Sequence, residues 1–342
     1  MKTVFTDDHR YHFAQGELSG GEFVTPFERP SRMEYVLREL KDRRMWDHVA
    51  PDPVDMGPIR AIHDAGFLLF LEQAWAEWVA AGFHGEILPT GFPARNMRQK
   101  LPRHIDGKVG YYALAMETCI TAGTWRAALA SASVAQTAQR LIAAGAHSAF
   151  ALCRPPGHHA HHDLYGGYCF LNNAAIAAQM FLENGAKRVA ILDVDFHHGN
   201  GSQEIFYSRN DVLYCSLHGA PEDAFPYYLG YADEAGQGPG EGFNLNYPMP
   251  PGTDYRLWSG ALEQALQKIR QYGPDALIVS LGVDTFKDDP ISFFKLESAD
   301  FTRYGAAIAT LKLPTLFAME GGYAIEAIGI NTVNVLAGFE GG

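Results

Sequence analysis

The chain has 342 residues, 47% hydrophobic and 19% charged, which is enough apolar material for a large packed core and excludes a disordered or disulfide-stapled protein. Lys and Arg number 27 against 39 Asp and Glu, and a formal charge of -12 disfavours nucleic acid and anionic lipid as partners while favouring cations. Nowhere do eighteen uncharged apolar residues run together, and the start, MKTVFTDDHRYHF, has no basic stretch leading into an apolar one, so a soluble cytoplasmic protein with no membrane partner is expected.

In chain order, TVF near Val4 reads as a first strand. Residues 83–124 then run through three prolines and little periodicity, the pattern of a long excursion rather than a separate domain. TWRAALASASVAQTAQRLIAAG (124–145) has helical periodicity and leads into the apolar run HSAFALC, a strand that stops at RPPGHHAHH. A second helix is expected over NNAAIAAQMFLENG (172–185), followed by the strand RVAILDVD and the segment DFHHGNG. DVLYCSL, before His218, reads as another strand, and a glycine-rich excursion covers 229–242. Helices over 254–273 and 299–311 alternate with the strands DALIVSLGVD and PTLFAME, the latter ending at MEGGY. Strand alternating with helix predicts an α/β fold, a single domain over 1–342 built on a parallel sheet wound by crossover helices. Ligands bind such sheets beyond the carboxyl ends of the strands, so RPPGHHAHH, DFHHGNG, SLHG, GVDTF and MEGGY should share one crevice. Four cysteines, Cys119, Cys153, Cys169 and Cys215, form no C-x-x-C pair and are expected as reduced thiols.

Asp195 and His197 are two apart, so on extended backbone they point the same way, with Asp193 on that face and Phe196 turned into packing. A carboxylate and an imidazole offer O and N donors suited to Zn2+ or Fe2+, and Asp284, at another strand end, is the best third ligand. A lone D-x-H at a strand end also reads as a hydrogen-bonded turn. His158 and His159 follow a further strand, where the prolines and Gly157 prevent a helix. Tyr323 follows two glycines, where a phenol could donate to a carbonyl oxygen gaining negative charge.

Five blocks then carry a resemblance: RPPGHHA (154–160), YGGYCFLNNAAIAA (165–178), ILDVDFHHGNG (191–201), SLGVDTF (280–286) and MEGGY (319–323). In this order they resemble the zinc-dependent deacetylases of the three-layer arginase and histone deacetylase fold, whose central parallel sheet is flanked by helices and carries its site at the C-terminal strand ends. The 83–124 excursion and LHGAPEDAFPYYLGYADE are most similar to the bacterial acetylpolyamine amidohydrolase branch.

The resemblance implies one Zn2+, with Fe2+ as the alternative, held by Asp195, His197 and Asp284. It implies His159 as general base and acid, His158 as its electrostatic partner, Asp193 and Asn200 orienting the two rings, and Tyr323 on the scissile carbonyl. Asn200 stands where histone deacetylases commonly have an acid. A structural K+ is implied at Asp193, Asp195, His197, Ser216 and Leu217, and a second at Phe206, Arg209, Val212 and Phe243. Gly167, Tyr168 and Phe225 would line a narrow channel, while Glu117 and Asp106 would face the distal ammonium groups of a small cationic substrate. In that branch the excursion joins a partner subunit, which implies a homodimer. Arg95, Arg98, Lys100 and Arg103 would then point away from the substrate or pair across the dimer.

Arginase-like relatives use two metals and need aspartates two residues beyond His197 and beyond Asp284; Gly199 and Phe286 stand there, so one metal is expected. The reading is hydrolysis of the acetyl amide of acetylputrescine, acetylcadaverine or acetylspermidine. A protein acetyl-lysine deacetylase and a non-catalytic binder of metal or amine are the alternatives.

Overall fold

The computed structural model describes residues 1–342. Strand β1 (Lys2–Val4) precedes an antiparallel hairpin, β2 (Glu17–Ser19) and β3 (Glu22–Val24), then helix α1 (Ser31–Asp42) and strand β4 (His48–Val49). Helices α2 (Met56–Ile62), α3 (Ala65–Ala80), α4 (Ile105–Tyr112) and α5 (Thr124–Ala143) lead to β5 (Ser148–Ala151). Beyond it come α6 (Asn173–Glu183), β6 (Val189–Asp193), α7 (Asn200–Phe206), β7 (Val212–Gly219) and β8 (Asn244–Met249). The chain closes with α8 (Tyr255–Tyr272), β9 (Ala276–Leu281), α9 (Ser298–Ala309), β10 (Thr315–Met319) and α10 (Ile328–Gly341).

Eight of the strands form one sheet in the order β4-β1-β5-β10-β9-β6-β7-β8, and every adjacent pair is parallel. The continuous apolar runs of the central strands have a simple cause. In β6, Val189 and Ile191 join the core formed with α2, α3, α5 and α6, whereas Ala190 and Leu192 join the core formed with α1, α8, α9 and α10. Phe150, Leu277 and Phe317 on neighbouring strands fall on the same side as Ala190, as the two-residue period requires.

The four expected helices are present with ends shifted by a residue or two, because polar and glycine residues act as caps. Asn172 accepts from the Ala175 N–H at 2.9 Å to start α6, and Asp254 accepts from the Leu257 N–H at 3.0 Å to start α8. Gly273, with φ 63°, ends α8. The six expected strands are also present. The short rim strand β4, the half-buried rim strand β8 and the hairpin are additional; β8 tolerates Pro248 because it has a partner on one side only. The 83–124 excursion carries α4 and a bridge between Ile87 and Ile120, while residues 91–101 are exposed throughout.

Candidate active site

β5, β10, β9 and β6 are neighbours at the centre of the sheet, and the segments leaving their carboxyl ends carry, in that order, His158 and His159, Glu320 to Tyr323, Asp284, and Asp193 to His197. Residues far apart in sequence are thus delivered to one place. SLHG differs from the others: it lies within β7, with Ser216 in register with Asp193.

β6 ends at Asp193, so alternation alone does not aim the ligands. Asp193 Oδ1 accepts from the Asp195 N–H at 3.2 Å, and Asp195 Oδ1 accepts from the His197 N–H at 2.9 Å. Each aspartate closes a small turn through the backbone two residues on, so the turn and the ligand cluster are built by the same side chains. Phe196 donates its N–H to Asp284 Oδ1 at 2.7 Å, tying β6 to β9, and its ring packs edge-on against Phe293 and Phe294 at 4.7 and 4.9 Å. The Gly321 N–H donates to Asp195 Oδ2 at 2.7 Å. A Cβ at Gly321 would lie 2.5 Å from Asp284 Oδ2 and 2.6 Å from Asp195 Oδ2, so the backbone passes the carboxylates only as glycine.

Asp195, His197 and Asp284 are buried and offer one ligand atom each within 4.8 Å of one another. His197 Nδ1 is 3.3 Å from Asp195 Oδ1 and 3.0 Å from Asp284 Oδ2. Burial and the Asp195 charge push the Asp284 carboxyl up to about 8. Burial opposes the charge on His197, but its bonds to Asp195 and Asp284 outweigh it and lift the imidazole to about 10. Asp195 is likewise opposed by burial, yet the His158 charge and the His197 hydrogen bond hold its carboxyl below the usual range. Two crowded carboxylates and an imidazole that keeps a proton between them form a donor set that a divalent cation satisfies better than the proton does. With two oxygens, one nitrogen and an open side, the group fits a metal centre of the catalytic type. A second, bridging aspartate has no room at 199, where a Cβ would lie 2.2 Å from Asp193 Oδ2 and 2.4 Å from the Tyr214 hydroxyl.

His158 and His159 stack with ring centres 4.0 Å apart but have unlike partners. His158 Nδ1 meets Asp193 Oδ2 at 3.1 Å, and that carboxylate also accepts from the Tyr214 hydroxyl at 3.0 Å. His159 Nδ1 meets the neutral Asn200 Oδ1 at 2.6 Å. Burial disfavours both imidazolium forms. Asp195 and Asp193 nonetheless raise His158 to about 10, whereas the charges of His158 and His197 add to burial and drive His159 well below its ordinary value. The turn that presents the pair is held by Glu320 Oε2, which accepts from the Gly157 and His158 N–H groups at 2.6 and 3.2 Å.

Tyr323 is 8% exposed, and its N–H donates to Asp289 Oδ2 at 2.7 Å. The buried Arg32 guanidinium lies 4.9 Å from its ring centre and donates to the carbonyls of Gly322 at 2.8 Å and Glu320 at 2.6 Å. The sequence reading did not single out Arg32, Asp289 or Glu320, although Glu320 sits inside the quoted MEGGY.

These groups open into a cavity of about 460 Å3 lined in part by His159, His197, Gly167, Tyr168, Phe225 and Tyr323, so the three expected channel residues are all in its wall. The Phe225 ring stands edge-on to His159 at 5.0 Å. Glu117 also lines the cavity. It lies beyond the end of α4 rather than on a helix face, and its Oε1 accepts from the Gly167 N–H at 2.9 Å. Two further carboxylates line the cavity that the sequence reading missed, the buried Glu17 and the exposed Asp223. Glu17 Oε1 accepts from the Tyr168 hydroxyl at 2.9 Å, and burial pushes its carboxyl up to about 7. The glycine pair in ELSGGEFV was the available signal, since it closes the β2–β3 hairpin that carries Glu17. Asp106, near the start of α4, is not in the cavity wall of the single chain, and its Oδ1 accepts from the Thr90 hydroxyl at 3.0 Å.

Ser216 and Leu217 are fully buried in β7, with Ser216 Oγ 2.8 Å from His218 Nδ1. Of the second implied cation group, Phe206 ends α7, Val212 begins β7 and Phe243 precedes β8. The Phe206 carbonyl accepts from the Arg209 N–H at 2.9 Å, and the Phe243 carbonyl from the Tyr214 N–H at 2.9 Å.

Residues 26–339 match the family model of the histone deacetylase domain. The chain is 56% identical over 343 residues to acetylpolyamine amidohydrolase 1 of Pseudomonas aeruginosa, covering 100% of this chain and 99% of that protein. It is 53% identical over 341 residues to the acetylpolyamine amidohydrolase of Mycoplana ramosa, covering 100% of both. The crystal structure of an acetylpolyamine aminohydrolase from Burkholderia pseudomallei superposes with a TM-score of 0.94 at 39% identity, over 99% of this chain and 98% of that one. With its parallel sheet, strand-end site and near-complete match to the family model, the chain belongs to the histone deacetylase domain family.

Proposed function

We propose that the protein hydrolyses the acetyl amide of small acetylated polyamines or diamines, of the acetylputrescine, acetylcadaverine and acetylspermidine type, releasing acetate and the free amine. One observation carries this reading. The Asp195, His197 and Asp284 group, the paired histidines and Tyr323 meet at a cavity whose wall bears the carboxylates of Glu117 and Asp223, with Glu17 a third acid whose carboxyl burial raises to about 7. Carboxylates are the right charge for a polycation, which an uncharged apolar channel would reject.

Asp195, His197 and Asp284 would hold one Zn2+, or Fe2+ with the same donors. When bound, such an ion polarises a carbonyl and lowers the pKa of water from about 15.7 toward about 7. The chain's own groups do the rest. His159, with Nδ1–H committed to Asn200, keeps an unprotonated Nε2 that takes the proton from the attacking water and returns it to the leaving amine. His158, paired to Asp193, stays cationic beside it and favours the negative charge that develops. Tyr323 keeps its proton and donates a hydrogen bond from its hydroxyl to the carbonyl oxygen, with its ring held by Arg32. Tyr168 and Phe225 hold the alkyl chain, and the Gly167 carbonyl receives the amide N–H.

In this reading K+ occupies the Asp193, Asp195, His197, Ser216 and Leu217 site, with a second at Phe206, Arg209, Val212 and Phe243. Such a cation near the ligands would keep their carboxylates ionised. The whole chain acts as one domain and works in the cytoplasm, and its four buried free cysteines form no disulfide. It pairs as a homodimer through the 83–124 excursion, where Met97 and Leu101 are 61% and 43% exposed; Asp106 would reach substrate only in that assembly. The test is acetate release across a panel of acetylated diamines, polyamines and acetyl-lysine peptides, with chelation and metal add-back. Greater turnover of the peptides would select a protein deacetylase, and activity that survives complete metal removal would end the metal reading.

A further inference from the structure

The tail of RPPGHHAHH holds a residue that the chemistry above leaves unused. His161 is 8% exposed, and its Nε2 lies 2.7 Å from Nδ2 of Asn200, whose Oδ1 lies 2.6 Å from His159 Nδ1. Asn200 is 2% exposed, so water does not compete for either end of its amide. A primary amide is asymmetric in chemistry and nearly symmetric in shape: one end only accepts, the other only donates, and packing scarcely distinguishes them. With the oxygen toward His159, the ring must present Nδ1–H, and Nε2 keeps its lone pair. Turned over, the amide would present N–H to Nδ1, and the ring proton would move to Nε2, where a base must be empty. The partner on the far side therefore decides the tautomer.

That partner is His161. Because Nε2 accepts from Asn200, Nδ1 carries the hydrogen, and it faces Glu204 Oε2 at 4.0 Å, a carboxylate on the same short helix, α7, that begins with Asn200. Its main chain is pinned as well: the His161 carbonyl accepts from His63 Nδ1 at 2.8 Å, and its N–H donates to the Leu164 carbonyl at 2.9 Å. Burial keeps the ring neutral, lowering its pKa to about 4, so the lone pair on Nε2 is available.

We propose that His161 is a positioning residue that, by accepting from Asn200 Nδ2, locks the Asn200 amide and through it the Nδ1–H tautomer of His159. The proposal rests on the reading of His159 as the proton carrier in amide hydrolysis.

Nitrogen-15 NMR of the histidine-labelled, zinc-loaded protein reads the tautomers directly. The expected result is Nδ1–H with an unprotonated Nε2 on both His159 and His161; a protonated Nε2 on His161 in the unmodified protein overturns the proposal without any variant. His161→Leu is expected to mix the His159 tautomers and lower kcat about tenfold or more with little change in KM. In an Asn200→Asp background the carboxylate accepts from either side and cannot be turned the wrong way, so adding His161→Leu should change kcat by less than about twofold. Equal losses in both backgrounds would mean that the ring only packs, and no loss in the Asn200 background would equally overturn the lock. If the unmodified protein releases acetate from no acetylated amine, the hydrolase reading fails, while the tautomer measurement still decides the hydrogen-bond chain.

Discussion

Glu28, just ahead of α1, is the hinge of a buried charge cluster that reaches Tyr323, and replacing it by glutamine should cost far more than a typical surface change. Its Oε1 accepts from Arg32 at 3.0 Å and from Arg154 Nε at 2.8 Å, and its Oε2 accepts from the Arg154 terminal nitrogen at 2.9 Å. All three side chains are 2% exposed or less. Burial alone would raise this carboxyl, but Arg154 and Arg32 overcome it and bring the group from 4.5 to about 2. A carboxyl so lowered contributes roughly 3 kcal/mol near neutral pH. The unfolded chain takes up its proton first as pH falls, so this stability is present above 4.5 and lost as pH descends toward about 2. Removing one partner of a buried ion pair costs about 3 to 5 kcal/mol, in agreement. Urea unfolding of Glu28→Gln near neutral pH should give a loss in that range with an unchanged slope, and the gap from the natural protein should narrow as pH drops through 4.5. A variant within about 1 kcal/mol of the natural protein, or a gap indifferent to acid, would refute the argument.

If Tyr323 donates to the carbonyl oxygen as proposed, Tyr323→Phe should lower kcat about 100-fold or more in a correctly folded protein, measured by acetate release. Glu117→Gln keeps the acceptor for the Gly167 N–H and removes only the charge, so KM should rise for acetylspermidine far more than for an uncharged acetyl amide; equal effects would deny Glu117 a charge-reading role. Glu17 has its carboxyl pushed up to about 7, so the protein is favoured while it stays protonated, fully below 4.5, and that advantage fades as pH rises through 7. Glu17→Gln should therefore raise the unfolding midpoint in mildly alkaline buffer and leave it nearly unchanged in mildly acidic buffer, as read by thermal denaturation.

The strand ends were legible because the sequence concentrates both kinds of signal there: a buried apolar run cannot end on DVDFHH or RPPGHH unless those groups find partners. The helices α1, α3 and α10 were not. α10 packs between α1 and α9, and α3 is apolar on most sides, so neither shows the one-sided stripe by which a surface helix is read. β8 escaped because a half-buried rim strand with Pro248 has neither a continuous run nor clean alternation. Within the site, Arg32 and Glu17 come from elements with no strand-end signal, and only the folded chain brings them to Tyr323 and Tyr168. His161 stood inside a quoted block, but its value depends on which way an amide faces, and spacing in sequence carries no such information.

The strand order has a further consequence for how the molecule is made. β5 and β6, which lead into the paired histidines and the DVDFH turn, are not paired with each other, because β10 and β9, the last two strands synthesised, lie between them. Until residue 319 has left the ribosome, two inward-facing strand rims remain without partners, and the contacts that join Asp284 and the 320–323 segment to the rest of the crevice span a long stretch of chain. Late insertion of this kind makes the growing polypeptide dependent on its own tail: a fragment ending before β9 would keep both histidines, Asp195 and His197, but would lack Asp284, Glu320 and the Gly321 N–H that tie the two segments into the sheet.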